Sequence, residues 1–588
     1  MRVADYVWKF LADKGVKHVF LVTGGGAMHL NDALRLEKRI KPVCCHHEQA
    51  CAIAAEGYFR ASGSLPAVSV TTGPGGTNAI TGVIGAWLDS IPMIVISGQV
   101  KFSTTIASCP DIPLRQLGDQ EINIVDIVRP VTKYAKMVTE TDQICDELAK
   151  ALDIATSGRP GPVWLDIPLN IQGAPLANPV SVPSCGEHEP ECGISEMAAL
   201  SELVKASRRP VVVAGHGIEL DRAEQDFMAL VEKLKIPVLS TFCGMNVIPS
   251  EHPLAFGRIG TIGQRAANFV LQNADLIISI GSRNNIRQVS YNWENFGKRA
   301  KKVVVDVDPA ELKKPTVKPD LGICCSAARF INAWAASGMD CHRPEWLAWC
   351  EEMRRKYPTH TSDQMVCEGG VNPYHLTAVM SEFCPHDTAV AIGNGTVSIA
   401  AFQTWMRKRG QRVFCNSGCA SMGYDLPAAV GAAASGMHTV CLAGDGSIMM
   451  NLQELETVLY NNLPIKIFIF DNHGYTSIRQ TQKNLFSQDF IGCDPSSGVG
   501  FPDFAKLCSA WGFKVREINS HDEIAVVLAD IFSNWMPEVV VVRIPAELGF
   551  SPKLSARRLP DGTMVSPSIE DMFPFLPREE MELNVCRI

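Results

Sequence analysis

Short runs of consecutive apolar residues, each ending in glycine or a polar turn and followed by a stretch of helical spacing, recur along the chain. In the first part, Asp5–Lys14 has helical spacing, and Val19–Val22 is an apolar run leading into Gly24-Gly25-Gly26. Glu48–Ala61 is rich in small residues and reads as a helix. Ala67–Thr72 reads as a strand entering the loop Gly73-Pro74-Gly75-Gly76, and Pro92–Ser97 and Val163–Ile167 read as further buried strands. Uninterrupted apolar strands separated by helices predict a parallel sheet covered by helices on both faces.

The pattern then restarts twice. A Pro/Glu/Ser-rich stretch, Ala174–Glu196, reads as a linker. Beyond it, Pro210–Ala214, Leu276–Ile280 and Lys302–Asp308 are apolar strands, and residues 340–372 are charged and helical, then turn-rich. From Pro373 a third unit follows, with strands at Ala389–Ile392, Thr439–Leu442, Ile465–Phe470 and Val539–Val542. The stretch from Ser551 onward, rich in Pro, Met and charge, reads as an extended tail lying over the body. The predicted fold class is α/β: three doubly wound parallel-sheet domains at 1–175, 190–340 and 370–550, with a tail at 551–588.

Composition narrows the picture. The chain has 588 residues, 46% hydrophobic and 20% charged, which is globular and long enough for several domains. A net charge of -8 argues against a general nucleic-acid or anionic-membrane binder. No uninterrupted apolar run reaches the roughly 18 residues of a spanning helix, and the first residues read as an amphipathic helix without a signal-peptide core. The 20 Cys, spread over the chain, read as reduced thiols of a cytoplasmic protein. Cys44-Cys45-His46-His47 resembles a metal cluster, but adjacent residues close one tetrahedral site poorly. Cys185, His188 and Cys192 supply only three ligands; for both clusters, buried or linker cysteines are the preferred reading.

The strongest local chemistry lies in the third unit. Gly444-Asp445-Gly446-Ser447 follows one strand and Asp471-Asn472-His473-Gly474 follows the next, with a helix at Leu452–Asn461 between them. Asp445 and Asn472 are 27 residues apart, at the carboxyl ends of two strands of a βαβ unit, where open α/β sheets bind ligands. A carboxylate, an amide oxygen and backbone carbonyls suit Mg²⁺ bound to a diphosphate, which glycines allow the backbone to approach. An Asp-Gly turn and an Asn-containing loop are the plain alternative.

GDGSIMMNLQELETVLYNNLPIKIFIFDN resembles the thiamine-diphosphate (ThDP) motif, which opens with GDG and closes on an Asn. With HHEQACAIAAEGYFRASG, VTTGPGGTNAITGVIGAWLDSIPMIVISGQ, SGRPGPVWLDIP and GCASMGYDLPAAVGA, the chain resembles the acetolactate synthase large-subunit family over about residues 1–550. The resemblance implies pyrimidine-binding, central and diphosphate-binding domains in that order. It implies a homodimer or homotetramer, with the cofactor between the first domain of one subunit and the third of another. It implies a decarboxylating carboligase, a lyase or transferase, using ThDP and Mg²⁺. Such an enzyme forms an enamine from a 2-oxo acid, pyruvate first, and adds it to a second carbonyl: a 2-oxo acid, aldehyde, ketone or keto-sugar. A decarboxylase, an acyltransferase or a non-catalytic ThDP-fold subunit are the alternatives.

By the same resemblance, Glu48 is the cofactor-activating glutamate; as an isolated residue it reads as a first-turn charge complementing the helix dipole. Gln120 matches a glutamine facing the reacting carbon, and His47 either orients that neighbourhood or is structural. Met422 matches the apolar residue supporting the bent cofactor; alone it is core filler. Asp445, Asn472 and the Gly474 carbonyl are the implied metal ligands, and Asn394, Gly395, Thr396, Gly446 and Ser447 the diphosphate contacts. FAD is a candidate for the central domain, through Gly215-His216-Gly217, Ser240-Thr241-Phe242 and Asp306-Val307-Asp308-Pro309, with ADP or no nucleotide as alternatives.

Several positions depart from the synthases. Asp119 stands where they carry Phe, Leu169 replaces the Lys of DIPK, and Arg283–Arg287 is a degenerate flavin-associated motif. Ile259 replaces a His, and Ser477 and Thr481 replace a Met and a Trp near the metal motif. Losing a cation and gaining an acid disfavours an anionic second substrate.

Overall fold

The computed structural model describes residues 1–177, 191–486, 489–558 and 561–587. Three six-stranded sheets carry the fold, and every strand pair in them is parallel. The first contains β1 (His18–Leu21), β2 (Lys41–Cys44), β3 (Ala67–Val70), β4 (Met93–Gln99), β5 (Tyr134–Met137) and β6 (Pro162–Pro168), in the order β2-β1-β3-β4-β6-β5. The second contains β7 (Pro210–Ala214), β8 (Val238–Ser240), β9 (Ala255–Arg258), β10 (Leu276–Ile280), β11 (Lys301–Asp306) and β12 (Leu321–Cys324), ordered β12-β11-β10-β7-β8-β9. The third contains β13 (Thr388–Ile392), β14 (Arg412–Phe414), β15 (His438–Gly444), β16 (Ile465–Asp471), β17 (Lys514–Ile518) and β18 (Glu538–Arg543), ordered β14-β13-β15-β16-β18-β17.

The first and third sheets share one strand order, so they are copies of one topology. The middle sheet has the doubly wound order of dinucleotide-binding folds, with its switch point between β7 and β10. The interior strands β4, β6, β7, β10, β13 and β16 are buried at every position. They read as continuous apolar runs because helices cover both faces. Of the stretch read as a linker, 178–190 lies outside the described residues, and the helix Ile194–Ala206 already begins inside its range.

The first and third units meet through small residues. The helix Glu48–Ser62 packs on the helix Asp425–Ala434, with Gly57 against the Ala428 backbone and Gly431 against the Ala54 carbonyl. A Cβ at either glycine would overlap backbone atoms of the other helix. Beside this contact lies a buried charge cluster: Arg60 bonds Glu56 and Asp89, each at 2.8 Å, and the Tyr424 hydroxyl donates to Glu56 at 3.2 Å. Asp89 also accepts the Gly418 amide at 3.0 Å and faces the central unit's Arg283 at 3.5 Å, so one carboxylate touches all three units. Burial penalises these charges, and mutual pairing offsets part of that cost: the Glu56 carboxyl is still pushed up by its burial.

The central unit is tied to the third by a buried arginine. Arg258 donates to the carbonyls of Phe402 and Trp405, the C-terminal end of the helix Thr396–Thr404, where a cation complements the dipole. The tail packs mainly on the central unit: Asn268 donates to the Ile569 carbonyl at 2.9 Å, Asn273 to that of Asn584 at 3.1 Å, and Ile569 and Cys586 share a core with Trp346. No helix of the described residues is long and apolar enough to cross a membrane.

The helix–helix contact gives a direct expectation. Gly57→Val forces the two helices apart and destabilises the fold by roughly 1–3 kcal/mol, read as a lowered thermal midpoint. An unchanged midpoint contradicts this packing.

Candidate active site

Strands β15 and β16 are neighbours in the third sheet, with Gly444 beside Phe470. Their carboxyl ends therefore deliver Asp445 and Asn472 to one place. Asp445 is 3% exposed, and its Oδ2 accepts the backbone amides of Asn472 at 3.1 Å and Gly474 at 3.0 Å, while Oδ1 accepts that of Gly446 at 2.6 Å. Burial pushes its carboxyl up to about 7, against these amides, which pull it down.

One end of the Asn472 side-chain amide lies 2.5 Å from the Gly474 carbonyl oxygen and 3.3 Å from Asp445 Oδ2. With nitrogen at that end, it donates to both. With oxygen there, the nitrogen faces the hydroxyls of Thr396 and Thr476, and three oxygens converge with no proton between them. That second arrangement needs a hard cation, and a carboxylate, an amide oxygen and a carbonyl are the donors Mg²⁺ takes. Gly474 makes the geometry available: its φ is +147°, and a Cβ there would overlap the Cys493 carbonyl.

These oxygens open on a cavity of about 240 Å³. Asn394, Gly395 and Thr396 line it where the helix Thr396–Thr404 begins, with Gly395 at φ +71° and Asn394 donating to the Ser421 carbonyl at 2.6 Å. Met422 lines it from a second loop, which is braced next door: Gly423 donates to Ser447 Oγ at 2.9 Å, and Asn451 donates to the Gly423 carbonyl at 2.7 Å. Gly446 and Ser447 complete the lining beside Asp445. Every third-unit residue predicted from sequence thus meets in one cavity. Tyr475 was not foreseen; its ring lies over Gly446 so closely that only glycine fits beneath it.

Glu48 and Gln120 do not line this cavity. They sit at the carboxyl ends of the first sheet. Glu48, 8% exposed, opens the helix Glu48–Ser62, which is capped by His47 Nδ1 accepting the Gln49 amide at 3.1 Å. Glu48 Oε2 accepts the Asn78 amide at 3.0 Å, and Oε1 faces Gly75. Gln120 is exposed, at φ +59°, with its carbonyl pressed on Gly73; Asp119 is exposed beside it. Within one chain the candidate site is therefore two separate halves. Exposed apolar residues lie in the segments around each: Ile112 and Leu117 near the first, Ile478 and Phe486 near the second.

A second cavity, about 90 Å³, lies at the switch point of the central sheet. Gly217, Thr241, Phe242 and Asp306 line it, with Arg159 from the first unit and Arg283. Gly215 and Gly217 let the loops after β7 and β10 touch backbone to backbone. Asp306, at the end of β11, is pushed up to about 6 by burial. Arg159 pairs with Asp308 and Glu311, each at 3.0 Å, and Arg287 lies 4.8 Å from the Phe242 ring. The glycine turns at the switch point and the acid at the end of β11 are features by which doubly wound sheets hold a nucleotide.

Cys44 is exposed and Cys45 buried, and among the described residues no three His, Cys, Asp or Glu side chains group to hold a metal. Cys185 and His188 lie outside the described residues.

Three domain families match the chain: the thiamine pyrophosphate enzyme N-terminal TPP binding domain over residues 1–126, the central domain over 197–334, and the C-terminal TPP binding domain over 391–543. Acetolactate synthase isozyme 1 large subunit of Escherichia coli is 30% identical over 565 residues, covering 92% of this chain and 94% of its own. A probable acetolactate synthase large subunit of Methanocaldococcus jannaschii is 31% identical over 570 residues, covering 93% of each. The chloroplastic acetolactate synthase 1 of Zea mays is 30% identical over 564 residues, covering 92% of this chain and 85% of its own.

Proposed function

The chain belongs to the thiamine-diphosphate-dependent acetolactate synthase large-subunit family, as a divergent member, and within it we propose a Mg²⁺-dependent decarboxylating carboligase that joins pyruvate to a second carbonyl compound. The observation that carries this reading is the pair of half-sites: an oxygen-lined cation pocket in the third unit and a buried carboxylate, Glu48, at the matching end of the first. Two sheets of one topology turn both halves toward their strand ends.

Asp445, the Asn472 side-chain oxygen and the Gly474 carbonyl would hold Mg²⁺. The amides around Gly395 and Gly446 would receive the diphosphate, and Met422 would supply an apolar wall. When bound, ThDP supplies a carbanion that adds to a 2-oxo acid and an electron sink that lets carbon dioxide leave. The chain's own task is to present and shelter that centre. Glu48 keeps Oε2 on Asn78 and would share a proton with the pyrimidine ring through Oε1. Because neither half is complete, the working unit is a homodimer or larger, with the first unit of one copy facing the third of another.

The acceptor is best read as an uncharged carbonyl: an aldehyde, a ketone or a keto-sugar. Asp119 stands exposed beside Gln120, and Leu169 begins the short helix Leu169–Gln172 where the synthases place a lysine. The gain of an acid at Asp119 and the separate loss of a cation at Leu169 both disfavour a second carboxylate. The same half-sites would serve a plain 2-oxo acid decarboxylase or an acyltransferase. In the central unit, the doubly wound order and the acid at the end of β11 support an adenosine-containing cofactor, FAD being the one the family resemblance names.

Purified protein given pyruvate, ThDP and Mg²⁺ releases carbon dioxide and, with an aldehyde or ketone present, a ligated hydroxyketone in excess over acetolactate. Glu48→Gln lowers turnover by about 10²-fold or more. Full turnover in that variant, or no turnover of any 2-oxo acid by the intact enzyme with bound ThDP, refutes the reading.

A further inference from the structure

The loop between β4 and the helix Ile124–Val128 is long and irregular, with two short turns at Phe102–Thr104 and Ile106–Ser108. Residues 109–120 are mostly exposed, and Gln120 lies near the end of this stretch. The next residue, Glu121, is only 6% exposed. Its Oε1 accepts the Ile106 amide at 2.5 Å, and its Oε2 accepts the amides of Leu117 at 2.9 Å and Gly118 at 3.1 Å. One carboxylate thus receives three backbone N–H groups from two separate parts of the loop. Its own backbone closes the turn: the Glu121 amide donates to the Gly118 carbonyl at 3.3 Å, and Gln116 Nε2 donates to the Glu121 carbonyl at 3.2 Å.

The consequence falls on Gln120. It is an interior residue of the Gly118–Glu121 turn and is held at φ +59°, a conformation a non-glycine residue keeps only when its surroundings impose it. Its carbonyl abuts Gly73, the first residue of the loop that also brings Gly75 to Glu48. On the far side, Gln99 donates to the Ile122 carbonyl at 3.1 Å and to Asp166 at 3.1 Å, and accepts the Thr72 hydroxyl at 2.5 Å. The turn carrying Gln120 is therefore clamped from behind by buried groups, while its face stays open.

We propose that Glu121 is a positioning residue, whose carboxylate gathers the amides of Ile106, Leu117 and Gly118 and so fixes the strained turn that presents Gln120 to the reacting carbonyl. This rests on the carboligase reading of the site. Charged acceptors bind backbone amides more strongly than neutral ones, and an amide side chain offers only one accepting oxygen for three donors. Glu121→Gln therefore leaves at least one of the three N–H groups facing another N–H.

The test is a double-mutant cycle on kcat/KM for carbon dioxide release, with ThDP affinity and thermal midpoint measured alongside. Glu121→Gln is expected to lower kcat/KM about tenfold or more in the native background, with ThDP affinity unchanged. In the Gln120→Ala background it is expected to add little, because the group it positions is gone. Amide exchange at Ile106, Leu117 and Gly118 should speed up. Gln116→Ala, which releases the same turn more gently, keeps the test alive if Glu121→Gln folds poorly, and should show the same dependence on Gln120. Equal losses in both backgrounds, or full activity in Glu121→Gln and Gln116→Ala, overturn the proposal while leaving the carboligase reading intact. A wild-type enzyme that turns over no 2-oxo acid overturns both.

Discussion

Everything about this site follows from how closely the helices Glu48–Ser62 and Asp425–Ala434 approach. Gly57 and Gly431 let the two backbones touch, and beside them the buried cluster of Glu56, Arg60 and Asp89 reaches the third unit through the Tyr424 hydroxyl and the Gly418 amide. The same helix that makes this contact begins at Glu48. Packing that helix against the third unit fixes where Glu48 can be, and it is not at the Asp445 cavity of the same chain. A close-packed interior leaves no freedom to bring them together by a small adjustment. The chain therefore keeps Glu48 and the Asp445 cavity apart. In the proposed reading a second copy brings them together.

Within the third unit, the chemistry is set by a parallel sheet that ends neighbouring strands on an acid and an amide. Water cannot solvate Asp445 well at 3% exposure, and three backbone amides offset only part of that cost. The proposed divalent cation would resolve the conflict, with the Asn472 side-chain oxygen and the Gly474 carbonyl turned toward it beside the carboxylate. The central unit, by contrast, plays its visible part through contacts: Arg258 on the end of the helix Thr396–Thr404, Arg283 on Asp89, and a face that receives the tail.

Much of this was legible in the sequence, and the reasons are physical. Strands buried on both faces must be apolar throughout, so β3, β4, β7, β10 and β16 stood out as runs ending in glycine or acid. Strands missed were mostly of another kind: β8, interior and buried, has only three residues, and β9 and β12 end the middle sheet. β2, β5 and β17 lie at sheet edges, have solvent on one side, and carry lysines, arginine or glutamate that break the apolar run. β14 has only three residues, Arg412–Phe414, too few for a pattern. The third-unit half-site was readable because Asp445 and Asn472 follow adjacent strands at a telling spacing. Glu121 was not, since its meaning lies in Ile106 and Leu117, which only the folded loop brings to it. Tyr475 likewise looks like an ordinary loop residue until its ring is seen on Gly446.

The measurement that bears most directly on a site shared between copies is complementation. Glu48→Gln and Asp445→Ala each disable one half-site, and neither homodimer retains an intact site. Co-expressed with different tags and purified as the mixed species, the pair carries one doubly damaged site and one untouched site. Recovery of pyruvate decarboxylation in the mixed species alone is the result this account predicts. If the mixed species is as inactive as its parents, both halves act within one chain, and the account of a shared site is wrong.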